Sequence, residues 1–434
     1  MKIDEFNDKF KEECGILGVF FNKKENMETK VYSGLLALQH RGQESCGISY
    51  RNDNEIENIR KMGLVDNLFE GLQIDTNLLI GHVRYSTWGE STIKNSQPLL
   101  SNNISLAHNG TLTNGEDIKK ILEKKGRKFS TDTDSEVILK VFEKDGIRGI
   151  YNNIKGAYAV VIIKDNELIA MRDPLGIRPI CIGKIQNGYI VASESCAIEA
   201  MGGSFIRDLM AGEAIKIDKN GVSVIRKGNE VCNTCAFEYI YFAREDSKID
   251  GICVGQIRSK LGKILGKEDF SKAHMVMGVP DTGTLPSIGY ADQSNIKYEP
   301  GILRNKYVGR TFIAPKNRKN KVNDKFFILK DKVRGKDIVV IDDSLVSGTT
   351  SKELIGKLKK VGANRIHYRI ASPIIRGKCD LGINMKNENI IGHFKNLEEI
   401  RDEIGADTLK YISIDNLIRV LGKNICTLCF TNKV

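Results

Sequence analysis

Three groups of residues in this 434-residue chain have the types and spacing to do chemistry. The first is Val339-Val340-Ile341-Asp342-Asp343-Ser344-Leu345-Val346-Ser347-Gly348-Thr349-Thr350, where a β-branched run and two adjacent acids lead into a glycine turn and the helical pattern Ser351-Lys352-Glu353-Leu354. The string predicts a strand, a loop and a helix start. Backbone amides of Ser347, Gly348, Thr349 and Thr350 would face an anion, and the acids at the strand end could hold ribose hydroxyls or a hard cation. No Gly-Lys-Ser/Thr follows the first glycine, so this is a sugar-phosphate cradle and not a Walker A loop. A bare strand-acid-glycine loop is also an ordinary α/β connection; the specificity lies in the whole string. The second group centres on Cys14, behind Glu12 and Glu13 and ahead of an alternating, glycine-rich run, where a thiol is either a nucleophile or core packing. The third is Cys426-Thr427-Leu428-Cys429, a CxxC that alone fits half a zinc site, a redox pair or chance.

The length exceeds one hydrophobic core, so two domains are expected, and 41% hydrophobic with 28% charged residues is the composition of a globular enzyme. No apolar run is long enough for a membrane, and the mixed charges of residues 1–13 exclude a secretory signal, so a cytoplasmic protein is expected. Ten cysteines in such a chain argue for metal or catalytic chemistry over a disulfide framework. A net charge of +11 suits nucleic acid or small polyanions. The most basic window, Lys316-Asn317-Arg318-Lys319-Asn320-Lys321, has no interleaved aromatics, which argues against nucleic acid as a partner.

The elements that must position these residues fall into two patterns. From Cys14 to about Lys227, short alternating strands such as Gly15–Phe21 and Tyr158–Ile163 are interrupted by helical stretches such as Asp134–Phe142, predicting an αββα layered arrangement. From about Gly251 the order becomes strand, crossover, strand, with strands expected at Ala273–Val279, Asp337–Ile341 and Arg365–Ala371 in a parallel sheet. The join, Glu238-Tyr239-Ile240-Tyr241-Phe242-Ala243-Arg244, is too apolar for a free linker, so the halves should pack firmly.

Four segments of the first half, Leu38-Gln39-His40-Arg41-Gly42-Gln43-Glu44-Ser45, Gly81-His82-Val83-Arg84-Tyr85-Ser86-Thr87, Ala107-His108-Asn109-Gly110 and Thr133-Asp134-Ser135-Glu136, resemble in order the glutamine-site segments of class II glutamine amidotransferases, which have the N-terminal nucleophile (Ntn) hydrolase fold. The resemblance implies that residues 1–13 are a propeptide and that residues 14–232 form the glutaminase domain. Cys14 would then start the mature chain. An α-amino group with a pKa near ~8 can accept the thiol proton, so one residue supplies both nucleophile and base. The implied oxyanion donors are the Asn109 amide and the Gly110 N–H, with Arg84 on the glutamine α-carboxylate and Asp134 on its α-ammonium. That mechanism needs no catalytic histidine, so His40, His82 and His108 are read as structural.

The cradle, together with Val279-Pro280-Asp281-Thr282-Gly283-Thr284 and Asn305-Lys306-Tyr307-Val308-Gly309-Arg310-Thr311-Phe312-Ile313, is similar to type I phosphoribosyltransferases. Joined to the glutamine segments, these motifs resemble the amidophosphoribosyltransferase family, in its iron-sulfur branch. What this implies is a phosphoribosyltransferase domain at 233–434, with ammonia displacing pyrophosphate from phosphoribosyl pyrophosphate (PRPP) to give phosphoribosylamine in purine biosynthesis. Asp342 and Asp343 would be the ribose and magnesium acids, Thr282 a further residue of the one Mg2+ site per subunit, and Ser344, Ser347, Gly348, Thr349 and Thr350 the 5′-phosphate loop. The segment Arg310 to Lys330 would close over PRPP, and Arg258 is a weaker candidate for the site, equally readable as a surface residue. Ser347 departs from the family, which usually has arginine there, and Phe326-Phe327 departs from leucine and asparagine.

By the same resemblance Cys235, Cys379, Cys426 and Cys429 would hold one 4Fe-4S cluster per subunit, although four thiolates equally satisfy zinc. Cys46, Cys181, Cys196 and Cys253 are read as buried apolar residues, and Cys232 as a neighbour that could be mistaken for Cys235. A homotetramer inhibited by purine nucleotides is a further implication of the family. The alternative is a PRPP- or nucleotide-sensing regulator that has lost turnover, favoured by Ser347 and opposed by the retained Cys14, Arg84, Asn109 and Asp134.

Overall fold

Alternation along the strand Gly15–Asn26 sets the first layers, because Ile16 and Phe20 point to one face and Leu17, Val19 and Phe21 to the other. The computed structural model describes residues 14–431 except 87–88, 270, 306–325, 384–386 and 423; the proposed propeptide, the basic window and most of the Arg310–Lys330 segment lie outside the described residues. This strand is central in a seven-stranded sheet whose order is Ser204–Asp208, Cys181–Ile185, Gly188–Ala192, Gly15–Asn26, Asp75–Arg84, Ser45–Asn52, Glu55–Met62. A six-stranded sheet runs Gly221–Arg226, Ala214–Asp218, Glu167–Arg172, Gly156–Lys164, Ile104–Leu112, Leu99–Ser101. Among the described residues, the strands of both sheets pair antiparallel.

The two sheets bury Ile16, Phe20, Ile80, Ala107, Val161 and Leu168 between them. Outside the first sheet, helices Glu28–Ala37 and Ser195–Ala200 cover Leu17, Val19 and Leu79. Outside the second, helices Gly115–Lys124 and Asp134–Asn153 cover Val160 and Ile162. The result is the expected αββα stack. Asn109 and Gly110 lie inside the strand Ile104–Leu112, not in a hairpin turn.

In the second half the strands Met275–Gly278, Ile338–Asp342, Ile366–Ile370 and Thr408–Tyr411 form a parallel sheet in that order. The third expected strand is followed by a fourth, Thr408–Tyr411, that sequence reading did not anticipate: it is four residues long with Lys410 exposed. Ile338 and Val340 enter a core with Leu354 and Leu358, while Val339 and Ile341 enter one with Ile257 and Leu261. Burial on both faces explains the unbroken apolar run.

The core around Val339 continues through the junction, taking in Phe237, Tyr239, Ile240 and Phe242 together with Ala157 and Ile177 of the layered half. Glu238–Phe242 is a single π-helical turn, buried except for Tyr241. Here Glu238, without exposed surface, receives Arg41 Nη2 at 2.8 Å and Nη1 at 3.0 Å, and Arg178 Nη1 stands 3.8 Å away. Arg172 makes a second clasp, with Nη1 on Asp250 Oδ1 at 2.6 Å. The halves are joined by buried ion pairs set in apolar packing, as the apolar join suggested. Removing Glu238 takes a buried carboxylate from two interior guanidiniums, Arg41 and Arg178, of which Arg41 keeps Glu194. Glu238→Ala is therefore expected to destabilise the protein by roughly 3 kcal/mol or more, with Glu238→Gln losing less, read as shifts in the denaturant midpoint.

Candidate functional site

Cys14 enters the strand Gly15–Asn26 with 8% of its surface exposed, and its Sγ donates to the Tyr85 carbonyl at 3.3 Å. Burial pushes the thiol up to about 11; Arg84 pulls it down and Glu44 and Asp134 push it up, so these three charges surround it. The Cys14 carbonyl accepts from Arg41 Nε at 3.1 Å, which fixes the backbone at Cys14. Arg84 ends the strand Asp75–Arg84, opposite Ser45, and is almost fully buried. Asp134 begins the helix Asp134–Asn153; burial raises its carboxyl to about 6 against the Leu112 N–H, which it accepts at 3.0 Å.

Asn109 is 1% exposed, and its Nδ2 has no hydrogen-bond partner among the described residues. An unpaired buried donor is costly unless a ligand completes it. Gly110 follows with φ +139, and a Cβ there would meet the Ala157 carbonyl oxygen at 2.0 Å, so only glycine lets the strand pass. The histidines take structural places. His82 Nε2 donates to the His108 carbonyl at 3.1 Å, His108 Nδ1 bonds Ser135 Oγ at 3.0 Å, and His40 Nε2 meets Glu194 Oε1 at 2.8 Å. Burial pushes both His82 and His108 down to about 3, so they are neutral at physiological pH. The cluster can hold a zwitterionic amide between Arg84 and Asp134, beside a thiol and an unspent amide donor.

The second constellation stands at the C-terminal end of the strand Ile338–Asp342. Asp343, fully buried, accepts from the hydroxyl of Thr282 and from Ser344 Oγ at 2.6 Å. Asp342 Oδ2 accepts Tyr368 OH at 2.7 Å, and its Oδ1 accepts the Asp343 N–H at 3.0 Å. Thr282 is thus brought to the acids from a distant segment, as expected. These are hard oxygen donors of the kind magnesium takes. Gly348, at φ +82, caps the helix Thr349–Lys360; Ser347 Oγ lies 2.9 Å from Thr349 Oγ1 and accepts the Thr349 N–H at 3.4 Å. The serine therefore folds back on its own loop and leaves no charge in the cradle.

Arg258, left open between a site residue and a surface one, is 2% exposed. It donates to the carbonyls of Tyr239, Tyr241 and Ala243 at 3.0, 3.1 and 2.7 Å, and feels the charges of Asp343 and Glu194. A cavity of about 420 Å³ lies between the halves, lined by His40, Tyr241, Arg258, Thr282, Arg304 and Phe326 among others. Phe326, one of the two departures beyond Lys325, is buried at its wall. Sequence reading missed Tyr368, Glu194 and Glu238, since one aromatic on a strand and two isolated acids carry no local signal.

The four cysteines converge at the junction. Cys235 and Cys426 are register partners in a two-residue parallel ladder, and burial together with Cys379 and Cys426 pushes the Cys429 thiol well up. Leu381 N–H donates to Cys379 Sγ at 3.4 Å. Among the described residues no group of three or more His, Cys, Asp or Glu side chains stands assembled as a metal site. A four-thiol donor set nevertheless fits a cluster or zinc. Cys232 is set apart, packed against Gly176 and Ala211 near Arg172 and Asp250. Cys253, expected in the core, is only half-buried, whereas Cys46, Cys181 and Cys196 are buried.

Comparison with known proteins matches residues 82–200 to a glutamine amidotransferase domain model. The chain is 40% identical to an amidophosphoribosyltransferase of Archaeoglobus fulgidus, covering 97% of both chains, and 39% identical to one of Methanocaldococcus jannaschii, again over 97% of both. A solved Bacillus subtilis glutamine PRPP amidotransferase, complexed with ADP and GMP, superposes with a TM-score of 0.90 at 38% identity over 97% of each chain. At Gly110 the geometry alone yields an expectation: Gly110→Ala should cost roughly 1–3 kcal/mol, read as a lowered unfolding midpoint, because both φ and the Ala157 carbonyl oppose a side chain there.

Proposed function

The chain belongs to the amidophosphoribosyltransferase family and carries out its glutamine-dependent amination of PRPP in purine biosynthesis; from that premise we propose how its residues divide the work. Cys14 is the nucleophile. Once residues 1–13 are removed, its own α-amino group takes the thiol proton, which overcomes the upward pull of burial on the thiol. The thiolate adds to the glutamine amide carbon, ammonia leaves, and water then cleaves the thioester to glutamate. The observation that carries this reading is the buried, unpartnered Nδ2 of Asn109, a donor whose desolvation is compensated when an oxyanion forms. The Gly110 N–H is the second donor. Arg84 and Asp134 clamp the α-carboxylate and α-ammonium.

At the other site, the 5′-phosphate sits on the amides of Ser344, Ser347, Gly348, Thr349 and Thr350, and Asp342 faces the ribose. Asp342, Asp343 and Thr282 would hold a Mg2+ ion, which supplies charge neutralisation for the departing pyrophosphate. Ammonia adds to ribose C1 as the C1–O bond to pyrophosphate breaks. The cavity between the halves, walled by His40 on one side and Thr282 on the other, supports internal passage of the ammonia. With Ser347 in the cradle, phosphate is held by dipoles without a guanidinium, so PRPP affinity rests more on the metal and on the lysines of the Arg310–Lys330 segment.

Cys235, Cys379, Cys426 and Cys429 hold a 4Fe-4S cluster that pins the C-terminal segment to the junction; the Cys235–Cys426 ladder supports this. A cytoplasmic homotetramer inhibited by purine nucleotides completes the reading. The relative solved with ADP and GMP supports the nucleotide part of this reading.

Nitrogen-donor kinetics test the division. Cys14→Ala is expected to lose only the glutamine reaction and keep the ammonium reaction, while Asp342→Asn/Asp343→Asn loses both; glutamine use without Cys14 would sink the mechanism. Anaerobically purified protein is expected to carry about four irons and matching sulfide per chain. Stoichiometric zinc without iron would refute the cluster.

A further inference from the structure

The Tyr85–Ser86 peptide, next to the nucleophile, is gripped by one acid that none of the roles above includes. The Glu44 backbone N–H donates to the Arg84 carbonyl at 3.1 Å, beside the Ser45–Arg84 register pair. Its side-chain Oε2 accepts the Ser86 backbone N–H at 3.0 Å and the Ser86 hydroxyl, and lies 4.0 Å from Arg84 Nη1. The Tyr85–Ser86 bond is trans, and the C=O and N–H of a trans peptide point in opposite directions. Holding the Ser86 N–H therefore turns the Tyr85 carbonyl the other way. That carbonyl is the group that accepts the Cys14 thiol at 3.3 Å.

We infer that Glu44 is a positioning residue for glutamine hydrolysis: by anchoring the Ser86 N–H it presents a carbonyl to the Cys14 thiol, and it steadies the Arg84 guanidinium. The inference deepens the assignment of Cys14 as nucleophile and rests on it. With the S–H donating to the carbonyl, the resting sulfur is held in one orientation toward the substrate until the α-amino group takes the proton and the thiolate attacks. Glu44 also acts through charge. Together with Asp134 it raises the thiol, against Arg84, and the remaining neighbour, Arg41, is occupied on the Cys14 carbonyl and on Glu194 and Glu238. Geometry and charge can be separated by substitution, because glutamine retains an acceptor oxygen for the Ser86 N–H but carries no charge.

The test measures glutamine- and ammonium-dependent synthesis, and the pH dependence of Cys14 alkylation by iodoacetamide, with Cys14→Ala as the blank. Glu44→Gln is expected to move the alkylation midpoint to lower pH while glutamine kcat/KM stays near wild type. Glu44→Ala is expected to lose about ten- to hundredfold in glutamine kcat/KM, with the ammonium reaction retained. An unmoved midpoint in Glu44→Gln, wild-type glutamine kinetics in Glu44→Ala, or an equal fall with both nitrogen donors would overturn the inference. Glutamine use by Cys14→Ala would instead overturn the nucleophile assignment, and the inference with it.

Discussion

A guanidinium with no exposed surface, that of Arg41, is the constraint on which both sites depend. Its Nε holds the Cys14 carbonyl, and its two terminal nitrogens reach Glu194 and Glu238. Glu194 in turn accepts from His40, from the Arg244 N–H at 2.9 Å and from Ser247 Oγ at 2.6 Å, so its carboxyl is held far below the usual range despite its burial. Charges taken out of water cost several kcal/mol each unless every donor and acceptor is met. A network satisfied in only one geometry specifies that geometry, and here it fixes the Cys14 backbone and the junction together.

The same electrostatic continuity reaches the second site. Arg258 ties down the carbonyls of Tyr239, Tyr241 and Ala243, in and just past the junction turn, and lies within the fields of both Glu194 and Asp343. Asp343 then depends on Thr282 and Ser344, and Asp342 on Tyr368, for orientation. The acids are thus aimed by hydroxyls while their opposite charge is supplied from the junction. Ser347 fits this scheme as a local turn former, its hydroxyl spent on Thr349.

The layered half was legible because Gly15–Phe21 and Tyr158–Ile163 are short runs rich in β-branched and aromatic residues, buried on both faces, and the parallel half because Val339–Ile341 is apolar on both faces too. Thr408–Tyr411 was not, being a short edge strand with one polar face. Cys14, Arg84, Asn109, Gly110 and Asp134 could be named because each sits in a distinctive local string. Arg258 could not be told from a surface residue, since an arginine on an amphipathic helix looks solvated until its carbonyl partners are seen. Glu194, Glu238 and Tyr368 owe their roles to contacts across large sequence separations, which no window of residues encodes. The convergence of Cys235 with Cys426 belongs to the same class and was legible only through resemblance.

The π-helical turn Glu238–Phe242 also bears on how such a chain can change over time. A cut or exchange between its halves would take Glu238 from Arg41 and Arg178 and Asp250 from Arg172, removing two carboxylates that three interior guanidiniums on the glutaminase side share. Two enzymes joined by a soft tether can be shuffled, split into separate genes or re-fused with new partners. This pair has given up that freedom: its halves share a core, and inheritance must treat them as one unit.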